Sequence, residues 1–192
     1  MYELPIYEKA KGAIRMKLHS GDIICFKGEG IIFKTLSFLL GIFDRQWHEL
    51  KWKPWHMAIA YHNGKWGWKV IESTGRGVEV NYLLSEDYRV YTWLDKPPSR
   101  KKMEKFVTEH LGKNYDVGCY LLTMLQYLVL HFFNHRLPRI LDDQYTCWEL
   151  VFEFCREMGK PIQSLHNYPI IIDFLKAVEN ETTCERRTSS KA

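Results

Sequence analysis

Apolar residues in the first half of the chain come in short runs separated by turn residues, and this spacing predicts strands. The runs are "SGDIICF" (20–26), "HMAIAY" (56–61), "WKVIE" (68–72), "GRGVEVNYLL" (75–84) and "YRVYTWL" (88–94). Asn63-Gly64 lies between the second and third runs and predicts a β-hairpin, because both positions of such a turn need φ > 0. The first half therefore predicts a small antiparallel sheet.

The second half of the chain shows helical spacing instead. Ser99 predicts an N-cap, and "CWELVFEFCREM" carries apolar residues at helical intervals before it ends at Gly159. The predicted helices cover 31–43, 99–112, 116–135, 147–158 and about 168–178. Strands followed mainly by helices predict an α+β fold, with the small antiparallel sheet packed against helices.

The length of 192 residues favours one domain, predicted over 1–178. It includes a Trp-rich insertion at 34–55 and is followed by a polar tail at 179–192. The N-terminus lacks the apolar stretch of a signal peptide, which predicts a cytoplasmic protein, and a phage-encoded protein or one exported by another route would share that feature. The apolar stretches 31–43 and 120–133 are shorter than the roughly 20 residues that span a bilayer, so buried helices are expected, with interfacial membrane contact as the alternative.

Composition and charge narrow the function classes. Hydrophobic residues make up 46% and charged residues 26%, which is typical of a globular protein with a real core. The net charge of +4 is spread along the chain without a basic stripe, so we expect no nucleic-acid partner. The five cysteines form no C-x-x-C pair, and His131 and His135 lack the Glu of a zinc-peptidase helix, so we expect no metal and no cofactor. The oligomeric state stays open.

Cys147 is the first chemical candidate, because it opens a predicted helix. The unpaired backbone N–H groups and the dipole at a helix N-terminus both favour an anion, so they would stabilise a thiolate. The alternative is a small buried residue. Cys155, in the middle of the same helix on its apolar side, is interpreted as a core residue.

His56 and Glu72 are the second and third candidates, because they stand at the ends of the two hairpin strands. Alternation places His56 on one face with Ala58 and Ala60, small residues that leave room for something to approach. A turn at Asn63-Gly64 would bring Glu72 near His56, where its carboxylate could orient the imidazole. Exposed residues at strand ends are the alternative, with His62 a rival base. Together Cys147, His56 and Glu72 would supply a nucleophile, a base and an orienting group.

Five segments in this order resemble a known family. They are "GDIICF", "HMAIAY", "VIEST" with a following "GV", "LGKNYD" and "YTCWELV". They are similar to the permuted papain-like cysteine peptidases and amidases, the circularly permuted NlpC-like enzymes that include the YiiX-like group. That family shows a Gly-Asp strand start, a His opening a strand, a Glu ending the next strand, a Gly-x-x-Tyr-Asp segment and a Cys-Ser-Glu-Leu-Val helix start. The resemblance covers about residues 20–155.

The resemblance implies a permuted papain-like core with Cys147 as nucleophile, His56 as base and Glu72 as its orienter. It also implies that Tyr115 lines the substrate site. Trp148 stands where the family has a small Ser, so its ring is expected beside the nucleophile, as a substrate-binding residue, or in the core.

The family's activity implies a thiol protease or amidase that cleaves amide bonds of cell-wall (peptidoglycan) peptides or related amides through a thioacyl intermediate. Two alternatives stay open: a lipid-directed acyltransferase or thioesterase with the same triad, and a catalytically silent binding module of the same fold. The second of these is motivated by the Trp-rich insertion and Trp148.

Overall fold

The structure, a computed structural model, describes residues 18–28, 38, 53–84, 87–116, 129, 144–163, 171 and 173–178. Within these ranges a five-stranded antiparallel sheet has the order β4-β3-β2-β1-β5. The strands are β1 (Ile23–Lys27), β2 (Pro54–Gly64), β3 (Gly67–Thr74), β4 (Gly77–Tyr82) and β5 (Tyr88–Tyr91). Four strands follow one another as neighbours, and β5 returns to pair with β1 on the far side. The prediction of an α+β fold with a small antiparallel sheet is confirmed.

The β2–β3 hairpin forms as predicted, but its turn lies two residues later than the sequence indicated. Asn63 pairs with Trp68 and Gly64 with Gly67, so Lys65 and Trp66 make the turn. The positive φ of 114° falls at Gly67, the first residue of β3, which has the conformational freedom for it. The prediction of the turn at Asn63-Gly64 was wrong because a second glycine, Gly67, three residues after Gly64, takes the left-handed conformation.

The sheet separates two groups of buried side chains. Met57, Ile59 and Ile71 belong to the core cluster shared with the helices, whereas Ala58 and Ala60 pack on the other side. All five are at most 1% exposed. This separation confirms the period-two alternation predicted for β2, in which successive side chains point to opposite faces.

Two helices cover the Met57 face of the sheet. Helix α1 (Arg100–His110) has Ser99 as its N-cap, as predicted, and contributes Met103 and Phe106 to the core cluster. Helix α2 (Cys147–Glu157) contributes Leu150, Val151 and Phe154, and the Phe154 ring stands edge-on to Phe106 at 5.2 Å between centroids. Because α2 begins at Cys147, this packing fixes where the thiol lies relative to the sheet.

The Gly-Asp segment before β1 has a structural role. Asp22 is 2% exposed, and its carboxylate accepts hydrogen bonds from the His19 backbone N–H (2.7 Å) and the Thr92 hydroxyl (2.8 Å). Since Thr92 follows β5, the buried carboxylate ties the end of that strand to the turn that starts β1. A buried acceptor satisfied in this way keeps the turn in one conformation.

Several predicted features meet the edges of the described ranges. Trp55, assigned to the insertion 34–55, lies in β2, because that strand already begins at Pro54. Asp116 is not helical, so the helix predicted from 116 does not include its first residue. Residues 38, 129, 171 and 173–178 are helical, in agreement with the predicted helices. The remainder of the helices 31–43 and 116–135, most of the insertion, His131, His135 and the tail 179–192 lie outside the described residues. Among the described residues, no helix has both the length and the apolar character to cross a membrane.

Gly77 gives a stability prediction. Its φ is +102°, and a Cβ there would stand 2.5 Å from the Lys113 carbonyl oxygen, so we expect Gly77→Ala to lower the free energy of unfolding by about 1–3 kcal/mol. Gly75→Ala is the matched control, because a Cβ at Gly75 meets nothing within 4 Å. Urea denaturation of both variants measures the difference, and equal stabilities would show that the contact between Gly77 and Lys113 carries no constraint.

Candidate active site

The centre of the site is a hydrogen bond between His56 of β2 and Glu72 of β3. His56 Nε2 lies 2.6 Å from Glu72 Oε2. An ionised carboxylate only accepts, so the imidazole donates this bond. Register explains the contact: Glu72 pairs with Ala58, two residues after His56, so both side chains share one face of neighbouring strands.

Cys147 completes the group, because its side chain lies close enough to His56 to raise the pKa of the imidazole through charge and hydrogen bonding. Since Nε2 is engaged by Glu72, Nδ1 is the ring nitrogen that is left for the sulfur. His56 is held from a further side by Phe26, whose ring centroid lies 5.5 Å from that of the imidazole. Glu72 lies 16 positions after His56 in the sequence, and Cys147 lies 75 positions after Glu72. The structure brings these three residues together.

The electrostatics of the group favour a charged imidazole. Burial alone lowers the pKa of His56, but the charge and hydrogen bond of Cys147, followed by those of Glu72, outweigh it and raise that pKa to about 10. Burial likewise disfavours the ionised form of Glu72, yet the hydrogen bond and charge of His56, with smaller contributions from Asn81 and Arg76, hold its pKa below the usual range. Cys147 and Glu72 thus both favour the protonated form of His56.

The position of Cys147 depends on how helix α2 begins. Thr146 is the N-cap of a capping box: its side chain accepts from the Glu149 backbone N–H, and the Glu149 carboxylate accepts from the Thr146 backbone N–H at 3.0 Å. Thr146 is fully buried and Glu149 is 8% exposed. This reciprocal pair fixes the first turn of α2, and with it the direction in which Cys147 leaves the backbone.

A further bond ties the helix start to the strand that carries Glu72. The Ser73 hydroxyl, fully buried, donates to the Tyr145 carbonyl oxygen at 2.5 Å. Ser73 follows Glu72, and Tyr145 precedes the Thr146 cap. The distance between nucleophile and carboxylate is therefore set by a short path through buried, hydrogen-bonded residues.

The segment around Tyr115 lies beside the start of α2. The Tyr145 backbone N–H donates to the Asn114 carbonyl (3.0 Å), and the Asp116 N–H donates to the Tyr145 carbonyl (3.4 Å). Tyr115 itself is half-buried between these two bonds. These two bonds hold the backbone around Tyr115 against Tyr145, which stands two residues before Cys147. The role of Tyr115 at the substrate site stays a prediction.

Trp148 lies in the core. Its side chain belongs to the same cluster as Leu150 and Phe154 and is 6% exposed. Of the two positions that the sequence left open, this burial favours the core, and it leaves little of the ring accessible to a substrate.

Asn81 was missed by the sequence reasoning. It lies in β4, and its Nδ2 donates to Glu72 Oε1 at 2.9 Å, while the other oxygen of Glu72 faces His56. Both carboxylate oxygens are thus engaged. The pairing of Val70 with Asn81 in the β3–β4 register places the amide there, and the residues alone carry no signal for this register.

The other described cysteines differ from Cys147 in their surroundings. Burial raises the pKa of the Cys155 thiol to about 12, and burial, followed by the negative charge of Cys147, raises that of Cys25 still further. Both are fully buried core residues. The interpretation of Cys155 as a core residue is therefore confirmed.

No protein-family model matches the chain, and no curated protein matches it either.

His56 gives a pH prediction that needs no substrate. With a pKa near 10, its imidazole should remain protonated across the range of about pH 5–8 in which an unperturbed His titrates. In Cys147→Ala the midpoint should move to lower pH, because the charge and hydrogen bond that raise it most are removed. NMR titration of the His56 ring in both proteins measures the two midpoints. A wild-type midpoint near 6.5 would contradict the charged arrangement.

Proposed function

We propose that the protein is a cysteine-dependent hydrolase of amide bonds, with a permuted papain-like core and the triad Cys147, His56 and Glu72. The observation that carries the proposal is the imidazole of His56, which contacts the Cys147 side chain and lies 2.6 Å from Glu72. A thiol at a helix N-terminus, a base and an orienting carboxylate are the parts that acyl transfer needs.

The first half of the reaction forms an acyl-enzyme. The Cys147 sulfur, as thiolate, attacks the carbonyl carbon of the amide and pushes its electron pair onto the oxygen. The backbone N–H of Cys147, at the first position of α2, and the positive end of the α2 dipole would stabilise this oxyanion. As the tetrahedral intermediate collapses, the C–N bond breaks and His56 gives its proton to the leaving amine.

The second half releases the acid. Neutral His56 accepts a proton from water, and the hydroxide oxygen attacks the thioester carbonyl. Collapse breaks the C–S bond, so that the carboxylic acid leaves and the thiolate–imidazolium pair is restored. Glu72 keeps the imidazole oriented and stabilises its charged form in both halves. The chain supplies every proton that these steps move, except those of the water consumed.

The proposed substrates are peptides with accessible amide bonds, including cell-wall peptides. Incubation of the protein with peptidoglycan-derived peptides and with simple peptide amides, followed by acid quenching and mass spectrometry, tests this. We expect new amine and carboxylate products and a thioester on the peptide that contains Cys147. Products that form equally in Cys147→Ala would exclude this mechanism.

A lipid-directed acyltransferase or thioesterase is the second candidate, and exposed apolar side chains favour it. Trp66, in the β2–β3 turn, is 65% exposed, and Leu84, just after β4, is 75% exposed. The Leu83 backbone N–H donates to the Trp68 carbonyl oxygen, so Trp66 and Leu84 lie at the same end of the sheet. Co-sedimentation with liposomes separates the candidates: binding that is lost in Trp66→Ala would favour the lipid-directed enzyme, and no association would leave the amide hydrolase.

A further inference from the structure

We propose that His110, Glu153 and Glu157 bind a divalent transition-metal ion such as Zn²⁺. His110 is the last residue of α1, and the two glutamates stand one turn apart on α2. One ligand atom from each of the three side chains lies within 4.8 Å of the others. This group belongs neither to the triad nor to its hydrogen-bond network.

The imidazole of His110 is prepared for a metal by its other nitrogen. Its Nδ1 donates to the Phe106 carbonyl oxygen at 2.9 Å, because a carbonyl can only accept. In the neutral ring Nε2 then carries the lone pair. A metal-ligating His usually has its second nitrogen held in this way. His110 is only 3% exposed, and its ring is packed between Phe106 at 4.2 Å and Tyr145 at 5.4 Å.

The distance from Nε2 to its nearest carboxylate fits a shared ion better than a hydrogen bond. His110 Nε2 lies 3.5 Å from Glu157 Oε1. A hydrogen bond would bring the two atoms to about 2.7–3.2 Å. Two ligands of one tetrahedral zinc, each at about 2.0–2.2 Å from the metal, stand about 3.4 Å apart. An ion bound by both Nε2 and the carboxylate oxygen would account for this separation.

The charges around the cluster agree with this. Glu109 and Lys105 lie close enough to interact with Glu157, and Arg156 pairs with Glu153. Three carboxylates, those of Glu109, Glu153 and Glu157, therefore lie near two permanently cationic side chains, those of Lys105 and Arg156. A divalent cation would add positive charge where the carboxylates outnumber these cations.

Imidazole and two carboxylates suit zinc or a similar ion rather than calcium or magnesium, which prefer oxygen ligands alone. Three protein ligands leave a fourth position for water. Such an ion would join the end of α1 to α2, the helix that begins at Cys147. It would therefore stabilise the helix that carries the nucleophile without entering the reaction.

The test uses Cys147→Ala as the parent protein, so that the thiol of the triad does not bind the added metal. Zinc and cobalt are titrated into the parent, into the parent with Glu157→Gln or His110→Gln, and into the parent with Glu104→Gln. Glu104 is the matched control, because it is a partly exposed glutamate of α1 paired with Arg100, away from the cluster. The readouts are the melting temperature, the stoichiometry and the visible spectrum of bound cobalt.

In the parent and in the Glu104→Gln control we expect one equivalent of metal and a rise in melting temperature of about 5–10 °C at a hundredfold excess over Kd. The cobalt spectrum should lack a sulfur-to-metal charge-transfer band. Glu157→Gln should weaken binding at least tenfold and abolish the rise. If His110→Gln fails to fold, Glu157→Gln decides the matter. A parent that binds no metal, or binding that survives Glu157→Gln, would overturn the proposal.

Discussion

Replacement of Cys147 by Ala is expected to abolish amide hydrolysis while the fold persists. Removal of the nucleophile of a triad costs about 10⁴-fold or more in turnover, because the remaining residues offer no other route to a covalent intermediate. The packing change is small, since the side chain loses one sulfur atom at the first position of α2, and we expect a loss of about 1 kcal/mol in unfolding free energy. Turnover of the peptide amides and urea denaturation measure the two effects separately.

Cys155→Ala is the matched control for this variant. Cys155 lies on the same helix, is fully buried and has no contact with His56 among the described interactions. Its loss should lower stability by a similar amount and leave turnover within about twofold of wild type. Hydrolysis by Cys147→Ala at the wild-type rate, or equal losses in the two variants, would remove Cys147 from the reaction.

Replacement of His56 by Ala has the second largest expected effect. Loss of the general acid and base should reduce turnover by about 10²–10⁴-fold, because the leaving amine then departs without a proton. The alkylation of Cys147 at mildly acidic pH should slow as well, since the thiolate loses its positive partner. A change confined to stability would not produce this second result.

His62 is the control for His56, because it stands on the same strand and was the rival base. His62 is exposed, and its ring stacks on Tyr61 at 4.7 Å between centroids. It stands four residues along β2 from Ala58, the residue that pairs with Glu72. His62→Ala should therefore retain turnover. If His62→Ala loses as much activity as His56→Ala, the assignment of the base is wrong.

The sequence predicts those parts of the fold that depend on local chemistry. Ser99 and Thr146 cap helices because their side chains accept hydrogen bonds from first-turn N–H groups, and this signal is visible in the residues themselves. The hairpin turn was misplaced because Asn63-Gly64 and Gly67 both allow a turn, and the strand pairing chooses between them. A β-bulge between Ala60 and His62 then shifts the register, which period-two counting does not reveal.

The sequence predicts those site residues that stand near the ends of paired strands or at the start of a helix. His56 and Glu72 could be placed together from the hairpin alone, and the contact survives the error in the turn because the two side chains share a face. Asn81 could not be found, since its contact depends on the register of a third strand. The approach of Cys147 depends on how α2 packs on the sheet, and that packing involves residues spread across the whole chain.

The most direct test of the account maps iodoacetamide labelling of all five cysteines at mildly acidic pH by mass spectrometry. A sulfur that faces a charged imidazole should react first, so the peptide containing Cys147 should be modified well ahead of the others, and this lead should vanish in His56→Ala. Labelling of Cys147 no faster than that of the other four thiols would contradict the account.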